Sequence, residues 1–379
     1  MKPVICHITI VHNAFDTRIF FRECISLSKN YRVVLIAPAG PELSKYADNT
    51  EPVVQVIGIK TSANRLNRFL TAGRNAFLIA LKQKAQVYHF HDPEFIPWAS
   101  LLVLLGRKVI YDVHEDYQSA LMARKNLSHK NKLIGIYRKF EDFACKRMHL
   151  ILAERSYISI YQKRAKSLCV VENFCTTEML APFKKEIRIN NTHLIYIGTI
   201  HAERGAETMI EALALCNNKG LNLQLDMVGN ITDPIWRKNL ESNPEYQKVK
   251  HQINWHGRLS LIESFQISEK AFAGFALIDN QPNHSESYPG KIFEYMAVGL
   301  PVIASDNLIN KGVVERNEAG ICVGFADVYA VADAVEKLFS NKTLAQQMGH
   351  NGTVAVEKNY NWKSEEMTLL DFYNKIVSQ

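Results

Sequence analysis

No stretch of this 379-residue sequence supplies the roughly 20 consecutive apolar residues that cross a bilayer. The longest run, residues 101–105 with neighbours from Phe95, predicts a buried helix. The start also lacks the charged, then apolar, then small pattern of a secretion signal. Residues 4–11 are interrupted by Cys6, His7 and Thr9 and read as a first strand, so export is not expected. Cysteine is sparse and odd in number, seven with no C-x-x-C pair, which argues against a disulfide framework or a structural zinc site. A reducing cytoplasm is the expected compartment. No low-complexity tract occurs, and no G-x-G-x-x-G follows the first strand, which disfavours a Rossmann dehydrogenase.

What is present fits a globular chain with more than one core, at 47% hydrophobic and 22% charged residues. The charge is uneven: residues 1–180 carry a net +11 and residues 181–379 a net −4. Much of the excess lies between Arg124 and Arg147, where Lys125, Lys130, Lys132, Arg138, Lys139 and Lys146 alternate with Leu133, Ile134, Ile136, Tyr137, Phe140 and Phe143. Such a basic amphipathic helix either lies on an anionic membrane surface or is a solvated face over a core stripe. No nucleic-acid-binding motif accompanies the charge, so nucleic acid is not an expected partner.

Strand-like and helix-like segments alternate throughout, the pattern of doubly wound α/β sheets. Strands are predicted at residues 4–11, 31–37, 53–57, 87–90, 108–113, 150–153 and 169–171, then from 194 and at 223–228, 253–256, 274–277, 301–304 and 320–323. Two Rossmann-like domains follow, 1–175 and 190–360, joined through the polar, Pro182-interrupted stretch 173–189. A last helix in 361–379 offers Met367, Leu370, Phe372, Tyr373 and Ile376 for burial.

The most informative segment is NHSESYPGKIFEYMAVGLPVIASD, residues 283–306. Pro289 and Gly290 mark a helix start, Gly299 a C-terminal cap, and residues 300–305 a buried strand. Glu294 then lies inside the helix and Glu286 before it, both beside unpaired helix N–H groups that favour anions. Carboxylates next to an anion site suit a ligand with hydroxyls and phosphates together, which describes a nucleotide sugar.

This segment resembles the E-x7-E signature of family 4 glycosyltransferases, retaining enzymes of the GT-B fold. YIGTIHAERGAETMIEAL (196–213) resembles the family's strand, phosphate loop and helix, and LDMVGN and WHGRLS match the next two units. The resemblance implies two Rossmann-like domains facing across a cleft, with the last helix crossing back to the first. It further implies that Glu294 holds ribose hydroxyls, Glu286 contacts the donor sugar, and Arg204 before Gly205 meets the diphosphate. Two departures stand out. Ser287, Tyr288 and Pro289 fill the place of a glycine-rich run, and Thr199 follows Gly198 where a second basic residue is common. Neutralising the diphosphate therefore falls to Arg204, Lys291 or Arg258, with the Gly290 helix start. No D-x-D pair occurs, so no cofactor or metal is expected besides the nucleotide-sugar co-substrate.

In VYHFHDPEF (87–95) and IYDVHED (110–116), polar residues follow apolar strands and put His91, Asp92, His114 and Glu115 at strand ends. The resemblance gives His114 the place beside the transferred sugar; as a group, these four residues are alternatively metal ligands. The loop after the first strand carries Asp16 and Arg18 in place of the family's glycine pair. Asp16 either caps the following helix or, with Arg18, His91 and Asp92, borders the acceptor. The expected function is transfer, with retention and without metal, of a sugar from a nucleoside-diphosphate donor to a glycan or lipid-linked acceptor. The alternatives are a non-hydrolysing sugar-nucleotide epimerase and a non-catalytic nucleotide-sugar-binding scaffold.

Overall fold

A computed structural model describes residues 2–40, 54–62, 64, 67–114, 130–185, 191–279, 281 and 288–379, with side chains omitted at 130–134 and 136. Two compact units divide the chain: Met1–Asn173 together with Lys363–Gln379, and Phe174–Trp362. The first holds β1 (Val4–Ile8), β2 (Arg32–Pro38), β3 (Gln55–Ile59), β4 (Val87–Phe90), β5 (Lys108–Val113), β6 (His149–Leu152) and β7 (Ser167–Val170), parallel and in the order β3-β2-β1-β4-β5-β6-β7. The second holds β8 (His193–Ile197), β9 (Gln224–Val228), β10 (Ile253–Gly257), β11 (Ala271–Ala276), β12 (Val302–Ser305) and β13 (Gly320–Val323), in the order β10-β9-β8-β11-β12-β13. Each predicted strand is present, its ends displaced by at most three residues. The signal is strong because parallel strands covered by helices on both faces are apolar along their length, as in β2 (RVVLIAP) and β11 (AFAGFA).

Two helices depart from expectation in the face they bury. In Ile96–Leu104, Ile96, Ala99 and Leu102 are buried, but Leu101 and Leu104, with Leu105 just beyond, are exposed at 41, 70 and 57%. The run is apolar all round, so composition alone hid which side faces water. This helix packs on the basic helix Lys130–Arg147. Among the described residues no helix is long and apolar enough to cross a membrane.

In the helix Trp362–Ser378, Leu369, Phe372, Tyr373 and Ile376 are buried, while Met367 is 60% exposed. The helical repeat that buries Leu369 and Phe372 carries Glu365 inward instead, at 8% exposure. There it accepts a 2.7 Å hydrogen bond from the Glu172 backbone N–H, and burial lifts its carboxyl to about 7. A folded-state value above the unfolded 4.5 means that the native chain holds an extra proton between them. That stability, at most about 3 kcal/mol, is present at low pH and lost as pH rises through 7. Glu365→Gln, which keeps an oxygen for the Glu172 N–H, is expected to raise the melting temperature at about pH 8 relative to pH 5. Parallel melting curves for variant and parent across that range would refute this.

Candidate active site

In the unit Phe174–Trp362 the strand order changes direction between β8 and β11, and ligands of open α/β sheets bind beyond the carboxyl ends of strands at such a point. Gly198 ends β8 with φ 141°, its N–H donating to the Val228 carbonyl at 2.9 Å. Gly229, φ 152°, lies so close that a Cβ there would sit 1.8 Å from the Gly198 oxygen. The two loops therefore meet backbone to backbone. Thr199 contributes its carbonyl, which accepts from the Tyr196 hydroxyl at 2.7 Å. Arg204, half-buried, precedes Gly205, whose left-handed φ of 69° starts the helix Ala206–Asn218 without a side-chain cap.

The helix Gly290–Ala297 likewise begins at extended Pro289 with no side-chain cap; the Ile292 N–H donates to the Pro289 carbonyl at 2.9 Å, and the N–H groups of Gly290 and Lys291 face the helix start, where an anion is favoured. Its second residue carries the decisive cation. Lys291 Nζ sits 3.7 Å over the Tyr196 ring and 3.0 Å from where a Gly198 Cβ would be. Burial, then repulsion from Arg204, pushes this ammonium well below the usual lysine range, against the pull of Glu294. No carboxylate among the described residues pairs with Lys291, Arg204 or the exposed Arg258 beyond β10. Glu294 lies half-buried one turn along the Lys291 helix. Glu286 and Ser287 lie outside the described residues, as does Glu115.

The other unit gathers the remaining candidates at the ends of β1, β4 and β5. Asp16 caps the helix Thr17–Cys24, accepting from the N–H groups of Arg18 and Ile19 at 2.9 and 3.0 Å. Arg18, expected to border an acceptor, is only 4% exposed and turns inward. Its Nε and Nη2 hold the Asp112 carboxylate bidentately at 3.0 and 2.9 Å, and Nη1 donates to the Val171 carbonyl at 2.8 Å. Asp92, 1% exposed, is likewise internal: it accepts from Thr9 Oγ1 at 3.0 Å and from the Ile10 N–H at 2.6 Å.

Asp112 is the residue that motif reading missed. Its Oδ2 lies 2.8 Å from His114 Nε2 and 3.2 Å from His91 Nδ1. Although it is buried, Arg18 and the two histidines hold it well below the usual carboxylate range. An ionised Asp112 fixes the proton of His114 on Nε2 and orients the ring, whose side chain is 19% exposed. The signal was present in IYDVH, since residues two apart on a strand share a face.

Residues 180–354 match the family described as glycosyl transferases group 1. The matched segment includes the Gly198 loop, Arg204, Lys291 and Glu294. Among similar proteins, a capsular polysaccharide biosynthesis glycosyltransferase, CapM, of Staphylococcus aureus is 26% identical over 197 residues, covering 50% of this chain and 48% of the relative. Alpha-D-kanosaminyltransferase of Streptomyces kanamyceticus is 27% identical over 184 residues, 48% of this chain and 45% of the relative. The chain thus spans about half the length of the relatives it matches. In fold it is similar to sucrose-phosphate synthase of Thermosynechococcus elongatus, with a TM-score of 0.74, 16% identity and full coverage of both chains. HepE of Anabaena, solved in complex with UDP-glucose, gives 0.72 at 12% identity over 98% of this chain and 99% of that one. The two Rossmann-like sheets have the fold of GT-B glycosyltransferases.

Proposed function

We propose that the chain is a glycosyltransferase that moves a sugar, with retention, from a nucleoside-diphosphate sugar to a glycan or lipid-linked acceptor. The observation that carries this reading is the half-buried Lys291 ammonium, held without an ion pair among the described residues beside an uncapped helix start and the close-packed backbone of Gly198 and Gly229. A diphosphate fits that gap. As the anomeric C–O bond breaks, the electron pair leaves with the diphosphate, and preorganised cations at that oxygen supply the stabilisation. Lys291 and Arg204 fill this role, assisted by the Gly290 helix start and by Arg258 from the β10 loop. Glu294 accepts from the ribose hydroxyls. Glu286 contacts the sugar, and His114, oriented by Asp112, is the catalytic histidine of this proposal. With these cations at the leaving group, no divalent metal is needed for neutralisation.

A panel of nucleoside-diphosphate sugars tests the reading through thermal stabilisation, since a donor at 100 times its dissociation constant adds about 2.7 kcal/mol. The stabilising donor is then incubated with glycan acceptors and without added Mg²⁺ or Mn²⁺, and the anomeric configuration of the product is read by NMR. Retention with turnover is expected. Stabilisation by no donor, conversion of donor to its epimer without acceptor, or a strict need for either added ion would overturn the proposal in whole or in its metal-independent part.

The proposed acceptor is membrane-borne. Arg138, Lys139, Lys146 and Arg147 are exposed on the helix Lys130–Arg147, and Leu101 and Leu104 are exposed on the helix packed against it, with Leu105 just beyond its end. Basic groups beside apolar ones match an anionic bilayer, each charge contributing about 1 kcal/mol near the surface. Arg138→Glu with Lys139→Glu is expected to release the protein from anionic vesicles while donor stabilisation stays unchanged. Equal cosedimentation of parent protein on neutral and anionic vesicles would rule the surface out.

A further inference from the structure

We propose that His7, Glu23, His89 and His91 form a buried transition-metal site, taking Zn²⁺ or an ion of similar ligand preference. It does not depend on the donor reading, because none of the four lies in the unit Phe174–Trp362. His7 and His89 are register partners on β1 and β4, His91 follows two residues on, and Glu23 comes from the helix Thr17–Cys24. All four are buried, and each offers one ligand atom within 4.8 Å of every other.

Two features single this cluster out. The first is geometry around the rings. A tetrahedral ion with ligands at about 2.0–2.1 Å separates neighbouring ligand atoms by about 3.3 Å. His7 Nδ1 and His91 Nε2 already stand 3.1 Å apart. Their opposite nitrogens face oxygens, His91 Nδ1 to Asp112 at 3.2 Å and His7 Nε2 to the Tyr373 hydroxyl at 3.3 Å, as metal-bound imidazoles do. Small side-chain rotations draw His89 and Glu23 inward to complete the set.

The second feature is unsatisfied polarity. Arg18 Nε carries a single hydrogen, and at 3.0 Å it serves Asp112, so Glu23 Oε1, 3.1 Å from the same nitrogen, receives none. Both Glu23 oxygens and His89 Nε2 are buried without a hydrogen bond. Glu23 thus shares the single Arg18 charge with Asp112, and a cation held with three neutral imidazoles supplies the charge that one guanidinium cannot give two buried carboxylates. The adjoining group His91, Asp112 and His114 is the poorer candidate, since Arg18 already neutralises Asp112.

The test uses the full chain. Protein purified without chelator is assayed for metal by mass spectrometry, then stripped by a chelator and titrated with Zn²⁺ and with Co²⁺. About one equivalent of Zn²⁺ per chain, a raised melting temperature, and the visible absorption of four-coordinate Co²⁺ are expected. Glu23→Gln and His89→Gln should each weaken binding at least about tenfold, whereas His256→Gln in the other unit should not. Should a variant fail to fold, the Co²⁺ titration of the parent decides. Stripped, folded parent protein that takes up neither ion stoichiometrically, with its melting temperature unmoved, overturns the proposal and leaves Glu23 holding a proton.

Discussion

Lys291→Met is expected to lower kcat/KM for sugar transfer about 10²–10³-fold, or about 2.7–4 kcal/mol of transition-state stabilisation, while leaving the fold intact or more stable. The two halves of that result come from one cause. In the free protein the ammonium is half-buried over Tyr196 and repelled by Arg204, forms no ion pair among the described residues, and is pulled only by Glu294 one turn along the helix. Its depressed folded-state value makes it a stability penalty that is full at low pH and is lifted as pH rises toward the ordinary lysine range, where the unfolded chain still holds the proton. Methionine keeps the apolar stem and removes both the penalty and the diphosphate contact. Melting curves with steady-state kinetics decide the matter. Unchanged kcat/KM with a lowered melting temperature would make Lys291 a packing residue and remove the main support for the donor site.

A second pair of substitutions separates His114 from the residue that positions it. Asp112→Ala removes the bidentate partner of a guanidinium that is 4% exposed and leaves it only Glu23, and breaking a buried ion pair costs about 3–5 kcal/mol. His114→Ala removes a partly exposed ring and should cost far less stability, while lowering turnover about 10²-fold or more if it meets the transferred sugar. Asp112→Asn, near in shape but neutral, should lose both stability and the fixed proton on His114. Chemical denaturation measured beside kcat distinguishes these outcomes. A His114→Ala variant with parental turnover would end the case for His114, and a stable Asp112→Ala variant would end the case for the Arg18–Asp112 pair.

The sequence by itself determined the two parallel sheets and the loop, helix and strand order of the segment that carries Lys291 and Glu294. Strand alternation located β1 to β13, and Pro289 with Gly290 marked the helix start and Gly299 the C-terminal cap that the structure shows. These are local properties: periodicity of burial and residues whose φ or missing Cβ is required where they stand. Only the tertiary structure decided which charges meet. Arg18 and Asp112 are 94 residues apart and are joined by the sheet order that brings β1 near β5, so the sequence pattern set Arg18 at the acceptor and gave Asp112 no role. Helix phase belongs to the same class. Glu365 faces inward and Met367 outward, and Leu104 is exposed beside a basic helix, because the neighbour on which a helix packs chooses the buried face when its residues do not. Lys291 shows the division most plainly. Its place at a helix start was legible in PGK, but that it lies over Tyr196 without an ion pair among the described residues was settled only when β8 and β11 paired and brought Gly198 beneath it.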